Sequence, residues 1–214
     1  MIKVENVDVW GFEHAIRGMR NPLNSWSKSD SAYSGQACKF IVGPNDLGLM
    51  QRLYKAGPEH RKYLRQIMVS LDITAPLYWW KEFDTYKVGT VANSCSTMHK
   101  IAAKEFTFDD FSIEHIGDVE NCDPVYYSAI MYVISALNEA RHCYIDTKDK
   151  KYWWQMIQLL PSSYNQKRTV TMNYENVISM IKQRTGHKLD EWNEFVEVLK
   201  SLPYVKEITD GNEA

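Results

Sequence analysis

Hydrophobic residues recur along this chain at two different spacings, which together predict a mixture of strands and helices. Alternating apolar and polar positions over residues 2–9, 63–73 and 166–172 predict three strands. Apolar residues spaced three and four positions apart predict helices elsewhere. The predicted helices cover residues 11–20, 46–56, 77–86, 125–146, 151–160, 173–184 and 190–202.

This order of elements predicts a mixed α+β fold, with one helix-rich domain over residues 1–214 and a small sheet that contains strands 63–73 and 166–172. Residues 21–45 are rich in Ser, Asn, Gly and Pro and predict a long loop, and residues 203–214 form a C-terminal tail. The longest predicted helix has one apolar stripe, as a helix packed on a core requires. The stripe consists of Val125, Ala129, Tyr132, Ala136, Ala140 and Cys143.

Composition and charge narrow the functional classes. The chain has 214 residues, enough to bury a core, and a net charge of −2 gives no general attraction to nucleic acids or anionic membranes. No apolar run approaches membrane-spanning length and no signal-peptide core opens the chain, so we expect a cytoplasmic protein. The seven Trp and thirteen Tyr favour a large core, a ligand-stacking site or a subunit interface.

The cysteines give no sign of a metal site or a disulfide framework. They are Cys38, Cys95, Cys122 and Cys143. None forms a Cys-x-x-Cys pair, so we expect unpaired thiols in a reducing compartment. A zinc site would have to use His115, Cys122, His142 and Cys143, without the paired spacing of structural zinc sites. The acidic run 109–123 lacks the spacing and glycine of an EF-hand and predicts a solvated connection.

Several polar residues lie at the predicted ends of helices. Asn173 follows a strand and opens a helix, where it could meet an anion or a carbonyl-rich ring, or act simply as an N-cap. Arg184 and His187 close the same helix, where cations also interact favourably with the helix dipole. The pair Glu59-His60 could be a first-turn acid and a surface imidazole. Taken singly, none of these residues identifies a function.

Two segments of the chain contain recurring polar positions in a fixed order. The first runs from Glu59-His60 through the predicted strand 63–73 and Ala75-Pro76 to a segment that ends at His99. The second runs from Leu160-Pro161 through Thr171-x-Asn173 to Arg184 and His187, with Trp192 in the last helix. This order resembles the flavin-dependent thymidylate synthases over about two thirds of the chain.

The resemblance is incomplete where the family has arginines. The family's Arg-His-Arg positions fall on Thr85, Tyr86 and Lys87, and the Ser, Asn and Ser that follow match Thr90, Asn93 and Ser96. Met98 and Ile157 stand where the family has arginine, and neither can replace the bidentate hydrogen bonding of a guanidinium. A phosphate site would have to be rebuilt with cations such as Lys87, Arg168, Arg17 or Arg20.

The resemblance implies a small-molecule enzyme that uses FAD to move a one-carbon unit from methylenetetrahydrofolate to C5 of deoxyuridine monophosphate (dUMP). It also implies a homotetramer, and the number of tryptophans favours a subunit interface as well; they include Trp79, Trp80, Trp153 and Trp154. A divergent member of this family would suit a phage genome. Implied site residues are catalytic Arg184, cofactor-binding His60, Asn173 and His187, and substrate-binding Lys87, Thr90, Asn93 and Ser96. The alternative hypothesis is a catalytically inactive protein that binds or sequesters a nucleotide on the same scaffold.

Overall fold

The structure is a computed structural model and describes residues 2–35, 39–116 and 124–210. The described strands are β1 Lys3–Trp10, β2 Ala32–Tyr33, β3 Phe40–Ile41, β4 Met68–Pro76, β5 Thr90–Ser94 and β6 Asn165–Asn173. The described helices are α1 Phe12–Arg20, α2 Pro44–Lys55, α3 Leu77–Phe83, α4 Thr97–Lys100, α5 Pro124–Thr147, α6 Lys150–Leu159, α7 Tyr174–Arg184, α8 Asp190–Lys200 and α9 Val205–Asp210.

Four strands form a small antiparallel sheet in the order β1-β4-β6-β5, and β2 pairs with β3 in a separate hairpin. The predicted α+β fold, and the prediction that β4 and β6 share one sheet, are therefore confirmed. Side chains join three of these strands as well, since Asp72 of β4 accepts hydrogen bonds from Asn6 of β1 and Thr169 of β6 at 2.9 and 2.6 Å. No helix among the described residues is long and apolar enough to cross a membrane.

The chain divides into two compact units. The first contains the described parts of Met1–Lys3, Ile73–Thr85 and Asn93–Arg168, and the second those of Val4–Asp72, Tyr86–Ala92 and Thr169–Ala214. In the first unit, α5 and α6 pack around a cluster that includes Ile134, Leu137 and Met156.

Two predictions about helix and strand positions need correction. Residues Lys62–Gln66 form a 3₁₀ helix that buries Tyr63 and Leu64, so the strand predicted from residue 63 begins at Met68. A 3₁₀ turn can bury neighbouring apolar residues, and alternation alone does not distinguish this arrangement from a strand.

The predicted apolar stripe of helix 125–146 is wrong as a core-facing surface at most of its positions, although its member Ala140 is buried. Val125 and Tyr132 are 71% and 77% exposed, and the buried positions of α5 are Ile130, Ile134, Leu137 and Ala140. The helix is apolar on more than one side, so the spacing of small and apolar residues did not identify the buried side.

The predicted loop 21–45 contains the short hairpin of β2 and β3, and part of the predicted tail forms α9, which buries Val205 and Ile208. Residues 117–123 of the predicted acidic connection, which include Cys122, lie outside the described residues, as does Cys38. Of the described cysteines, Cys95 and Cys143 are free thiols.

A buried ion pair fixes the polypeptide between α1 and α2. Arg20 donates through Nε to Asp46 at 2.5 Å, and both side chains are almost fully buried. Burial alone would raise the pKa of Asp46, but hydrogen bonds from the Ser31 and Ser29 hydroxyls and from Arg20 hold that pKa below its ordinary value.

We predict that Asp46→Asn lowers the free energy of unfolding at neutral pH by about 3–5 kcal/mol, because Arg20 is left buried without its anion. Because the pKa of Asp46 is lower in the folded protein than in the unfolded chain, its carboxylate stabilises the fold at pH values above its pKa in the unfolded chain. This contribution is lost as the pH falls through the pKa of Asp46 in the folded protein. Urea unfolding between pH 7 and pH 2 should show a loss of stability below about pH 4 that is smaller in the variant than in the wild type. Identical pH profiles would contradict the assignment.

Candidate functional site

Asn173 ends β6 and caps α7. Its backbone is extended, and its side-chain oxygen accepts a hydrogen bond from the backbone nitrogen of Asn176 at 3.1 Å. The capping role that the sequence suggested is therefore present, and the side chain is half-buried at the start of the helix. Capping uses the side-chain oxygen of Asn173, so its amide nitrogen is the group with which it could contact a ligand.

Asn176 fixes the turn before β5 to the same end of α7. Its Nδ2 donates to the carbonyl of Val88 at 2.8 Å and to Oγ1 of Thr90 at 2.9 Å. Gly89 between them has a φ of +74°, and a Cβ at this position would lie 2.6 Å from Nδ2 of Asn173. The sequence reasoning missed Asn176, although its position three residues after the N-cap places it on the same side of the helix.

The other end of α7 holds Arg184 between aromatic rings. Its Nε donates to Oη of Tyr86 at 2.9 Å, and its guanidinium carbon lies 4.6 Å from the Trp192 ring centroid and 5.5 Å from that of Tyr86. The Tyr86 hydroxyl in turn donates to Oε1 of Gln183 at 2.9 Å. These contacts hold the plane of the guanidinium in one orientation.

His187 faces Arg184 across 3.1 Å, measured from Nε2 to Nη1. The backbone N–H of Leu189 donates to Nδ1 of His187, also at 3.1 Å. Arg184 can only donate, so a neutral His187 ring offers one acceptor nitrogen to these two donors. With the His187 proton on Nε2, both residues would donate to a carbonyl or phosphate oxygen beside them, so the pair suits an oxygen-rich ligand.

Residues 86–90 follow α7 along its length. Tyr86 contacts its C-terminal end, and Val88 and Thr90 contact its N-terminal end. The structure therefore brings Thr90 and Asn173 together at the N-terminal end of α7, and Arg184 and His187 together at its C-terminal end. The helix is about 16 Å long. Lys87 lies between the two ends, is exposed, and has no ion-pair partner among the described residues.

The predicted residue His60 lies in an exposed turn and lines a cavity of about 380 Å³. Asn21 and Gln66 contribute amide groups to this cavity, and Leu53 and Tyr63 contribute apolar surface. Apolar walls with a few polar edges are typical of sites for flat heterocyclic ligands.

The remaining predicted residues, Asn93 and Ser96, belong to the first unit. Asn93 is exposed on β5, and Ser96 caps α4 by accepting from the backbone nitrogen of His99 at 3.1 Å.

Two of the cations considered for a phosphate site already have partners. Arg20 is paired with Asp46, and Arg168 donates to Asp84 at 2.7 Å while its guanidinium lies 4.1 Å from the Trp80 ring centroid. Arg17 is exposed and, within the described part of the chain, has no ion-pair partner. Arg17 and Lys87 therefore remain as cations that could approach a phosphate.

Thr85, Met98 and Ile157 stand where the family that the chain resembles has arginine, and their side chains do not form a cationic site. The Thr85 hydroxyl donates to the carbonyl of Glu82 at 2.7 Å, and Ile157 packs against the core of the first unit. Met98 is exposed. In residues 2–35, 39–116 and 124–210, no group of three or more His, Cys, Asp or Glu side chains could hold a metal ion.

Solved structures of similar fold cover nearly the whole chain. Thymidylate synthase X (ThyX) from Helicobacter pylori with FAD and dUMP has a TM-score of 0.68 at 16% identity, over 97% of this chain and 96% of that chain. A second structure of this enzyme complexed with FAD and dUMP has a TM-score of 0.65 at 16% identity, over 95% and 96%. The UMP/dUMP methylase PolB from Streptomyces cacaoi, bound with 5-Br dUMP, has a TM-score of 0.60 at 15% identity, over 94% and 89%.

These structures show that the chain has the fold of the flavin-dependent thymidylate synthases, as the order of its elements predicted. No protein-family model and no curated protein sequence matches it.

We predict that Gly89→Ala destabilises the protein more than Gly186→Ala, a control at nearly the same φ of +73° with open space around it. The left-handed backbone costs each alanine about 1–2 kcal/mol. The contact with Asn173 should cost Gly89→Ala about 1–3 kcal/mol more, because the cap must move. Urea unfolding measures both, and equal losses would contradict the close packing of Gly89 on Asn173.

Proposed function

We propose that this protein binds a pyrimidine nucleotide such as dUMP and, with FAD and a folate, transfers a one-carbon unit to C5 of the pyrimidine or performs a close variant of this reaction. The observation that supports this best is the guanidinium of Arg184, oriented by Tyr86 and Trp192 and facing Nε2 of His187. The full-length likeness to structures that contain FAD and dUMP also supports it.

Arg184 is the proposed catalytic residue. Negative charge develops on a pyrimidine carbonyl when C5 becomes nucleophilic, and a fixed guanidinium stabilises that charge without reorganising. His187 could donate to the same oxygen or to the cofactor, because its Nδ1 is already occupied by Leu189. We assign substrate contacts to Lys87, Thr90, Asn93 and Ser96, with Lys87 supplying positive charge for the phosphate.

The residues near the proposed cofactor site fit a flavin. The cavity beside His60 has apolar walls for a flat ring, and its amide groups can pair with the ring's polar edge. We propose that His60, Asn173 and His187 contact the flavin. FAD, when bound, would supply the redox chemistry, and the protein's own groups position the nucleotide and polarise it.

The alternative function is a catalytically inactive nucleotide-binding protein. Its support is the loss of arginine at Thr85, Met98 and Ile157, since each charge-assisted hydrogen bond contributes about 1.5–3 kcal/mol. The aromatic surroundings of Arg184 suit binding by stacking as well as catalysis.

We predict that Arg184→Lys abolishes or strongly weakens dUMP binding, measured by calorimetry, because lysine keeps the charge but loses the planar fork. The matched control is Arg52→Lys, an exposed arginine in the last turn of α2. Both variants should melt close to the wild type. Unchanged dUMP binding in Arg184→Lys would remove Arg184 from the site, and loss of binding in both variants would contradict a specific role.

We further propose that the protein is a homo-oligomer, most simply a tetramer. Trp79 and Trp80, which the sequence suggested as interface residues, are fully buried and therefore belong to the core. The support for an oligomer comes instead from the exposed side of α5 and α6. Val125, Tyr132 and Trp154 expose apolar surface there, and surface of this kind commonly lies in subunit interfaces.

We predict that Tyr132→Glu shifts the protein toward smaller species in light scattering, because a charge would be buried in the interface. The control Val7→Glu alters another exposed apolar residue, on β1, and should leave the assembly unchanged. A wild type that scatters as a monomer at micromolar concentration would contradict the proposal.

A further inference from the structure

A second cavity, of about 590 Å³, lies in the second unit beside the start of α1 and the hairpin of β2 and β3. Its lining includes Trp10, His14, Tyr33, Lys39 and Tyr204. The volume falls within the range of about 300–1,000 Å³ that small-molecule sites occupy. None of the residues assigned to the nucleotide site lines it.

Aromatic rings form much of the wall of this cavity, and contacts with neighbouring residues fix the ring of Tyr33. Tyr33 is 59% exposed, yet its hydroxyl donates to Glu13 at 3.0 Å and its ring packs edge-on against Phe40 at 5.2 Å. Trp10 is 43% exposed on the same cavity. The exposed ring of Tyr33 is already ordered, so it provides stacking area for a planar ring at low entropic cost, and the indole of Trp10 adds to that area.

Tyr204 is held in an uncommon conformation at the cavity wall. Its φ is +61°, which costs a bulky residue about 1–2 kcal/mol. Its hydroxyl accepts from the backbone nitrogen of Val42 at 3.1 Å, and its ring packs edge-on against Phe12 at 5.3 Å. Strained residues of this kind cluster at ligand sites.

The charged residues of the lining are Lys39 and Glu13, and His14 adds an imidazole. His14 and Lys39 are exposed and, among the described residues, have neither a hydrogen-bond nor an ion-pair partner. The one acid in the lining, Glu13, accepts from Tyr33, and this hydrogen bond raises the pKa of the phenol. Tyr33 therefore stays a neutral donor to Glu13, and Lys39 remains available to an anionic ligand.

We propose that this cavity is a second small-molecule site, which binds a planar aromatic ring bearing a carboxylate or phosphate group. The ring lies against Trp10 and Tyr33, and the anionic group pairs with Lys39 and accepts a hydrogen bond from His14.

Calorimetry on the full-length protein with four matched probes tests this site. We expect saturable binding of 2-naphthoate or 2-naphthyl phosphate, and the tighter of the two identifies the anionic group. The neutral 2-naphthamide and the non-aromatic cyclohexanecarboxylate should each bind at least about tenfold more weakly, because each lacks one of the two required features. Absence of saturable binding for both anions, or equal binding of the amide, would overturn the proposal.

Variants locate the bound probe. Lys39→Met should weaken it about tenfold and Trp10→Leu should weaken it as well, whereas the exposed control Lys81→Met should not. Arg184→Lys should leave probe binding unchanged even where it abolishes dUMP binding, which separates failure of this proposal from failure of the proposed function. Probe binding that is lost in Arg184→Lys and retained in Lys39→Met would place the probe elsewhere and overturn the assignment.

Discussion

The hydrogen bond by which Asn173 caps α7 fixes the geometry on which the rest of the candidate site depends. It sets where the strand ends and the helix begins, and Asn176, one turn later, then holds the carbonyl of Val88 and the hydroxyl of Thr90. Because Gly89 fits against Asn173 without a side chain, residues 86–90 can lie along the helix. The cap at one end thus positions Tyr86 to meet Arg184 at the other end.

The same arrangement explains how the site could work without the arginines of the family it resembles. Arg184 donates from Nε to Tyr86 and stacks on Trp192, so the plane of its guanidinium is oriented before a ligand arrives. A preoriented guanidinium suits both catalysis and tight binding. The choice between the enzyme and the inactive binder therefore depends on whether FAD is bound and on turnover, because the contacts of Arg184 serve both.

The sequence was sufficient to predict the α+β fold, the presence of β4 and β6 in one sheet and the position of α7. The elements themselves follow from local periodicity and capping, and their arrangement follows from the family that their order resembles. The sequence could not predict that Lys62–Gln66 would be a 3₁₀ helix or that Tyr132 would be exposed, since both depend on packing partners distant in the chain. Tyr86 and Asn176 were missed for the same reason: their roles come from contacts 98 and 86 residues away along the sequence.

The visible absorption spectrum of the purified protein tests the central claim most directly. Our account predicts the spectrum of an oxidised flavin, released into the supernatant when the protein is denatured, or acquired when the colourless protein is incubated with FAD and passed through a desalting column. A protein that stays colourless after that incubation, and that shows no change in flavin fluorescence when dUMP is added with FAD, would contradict a flavin-dependent function for this fold.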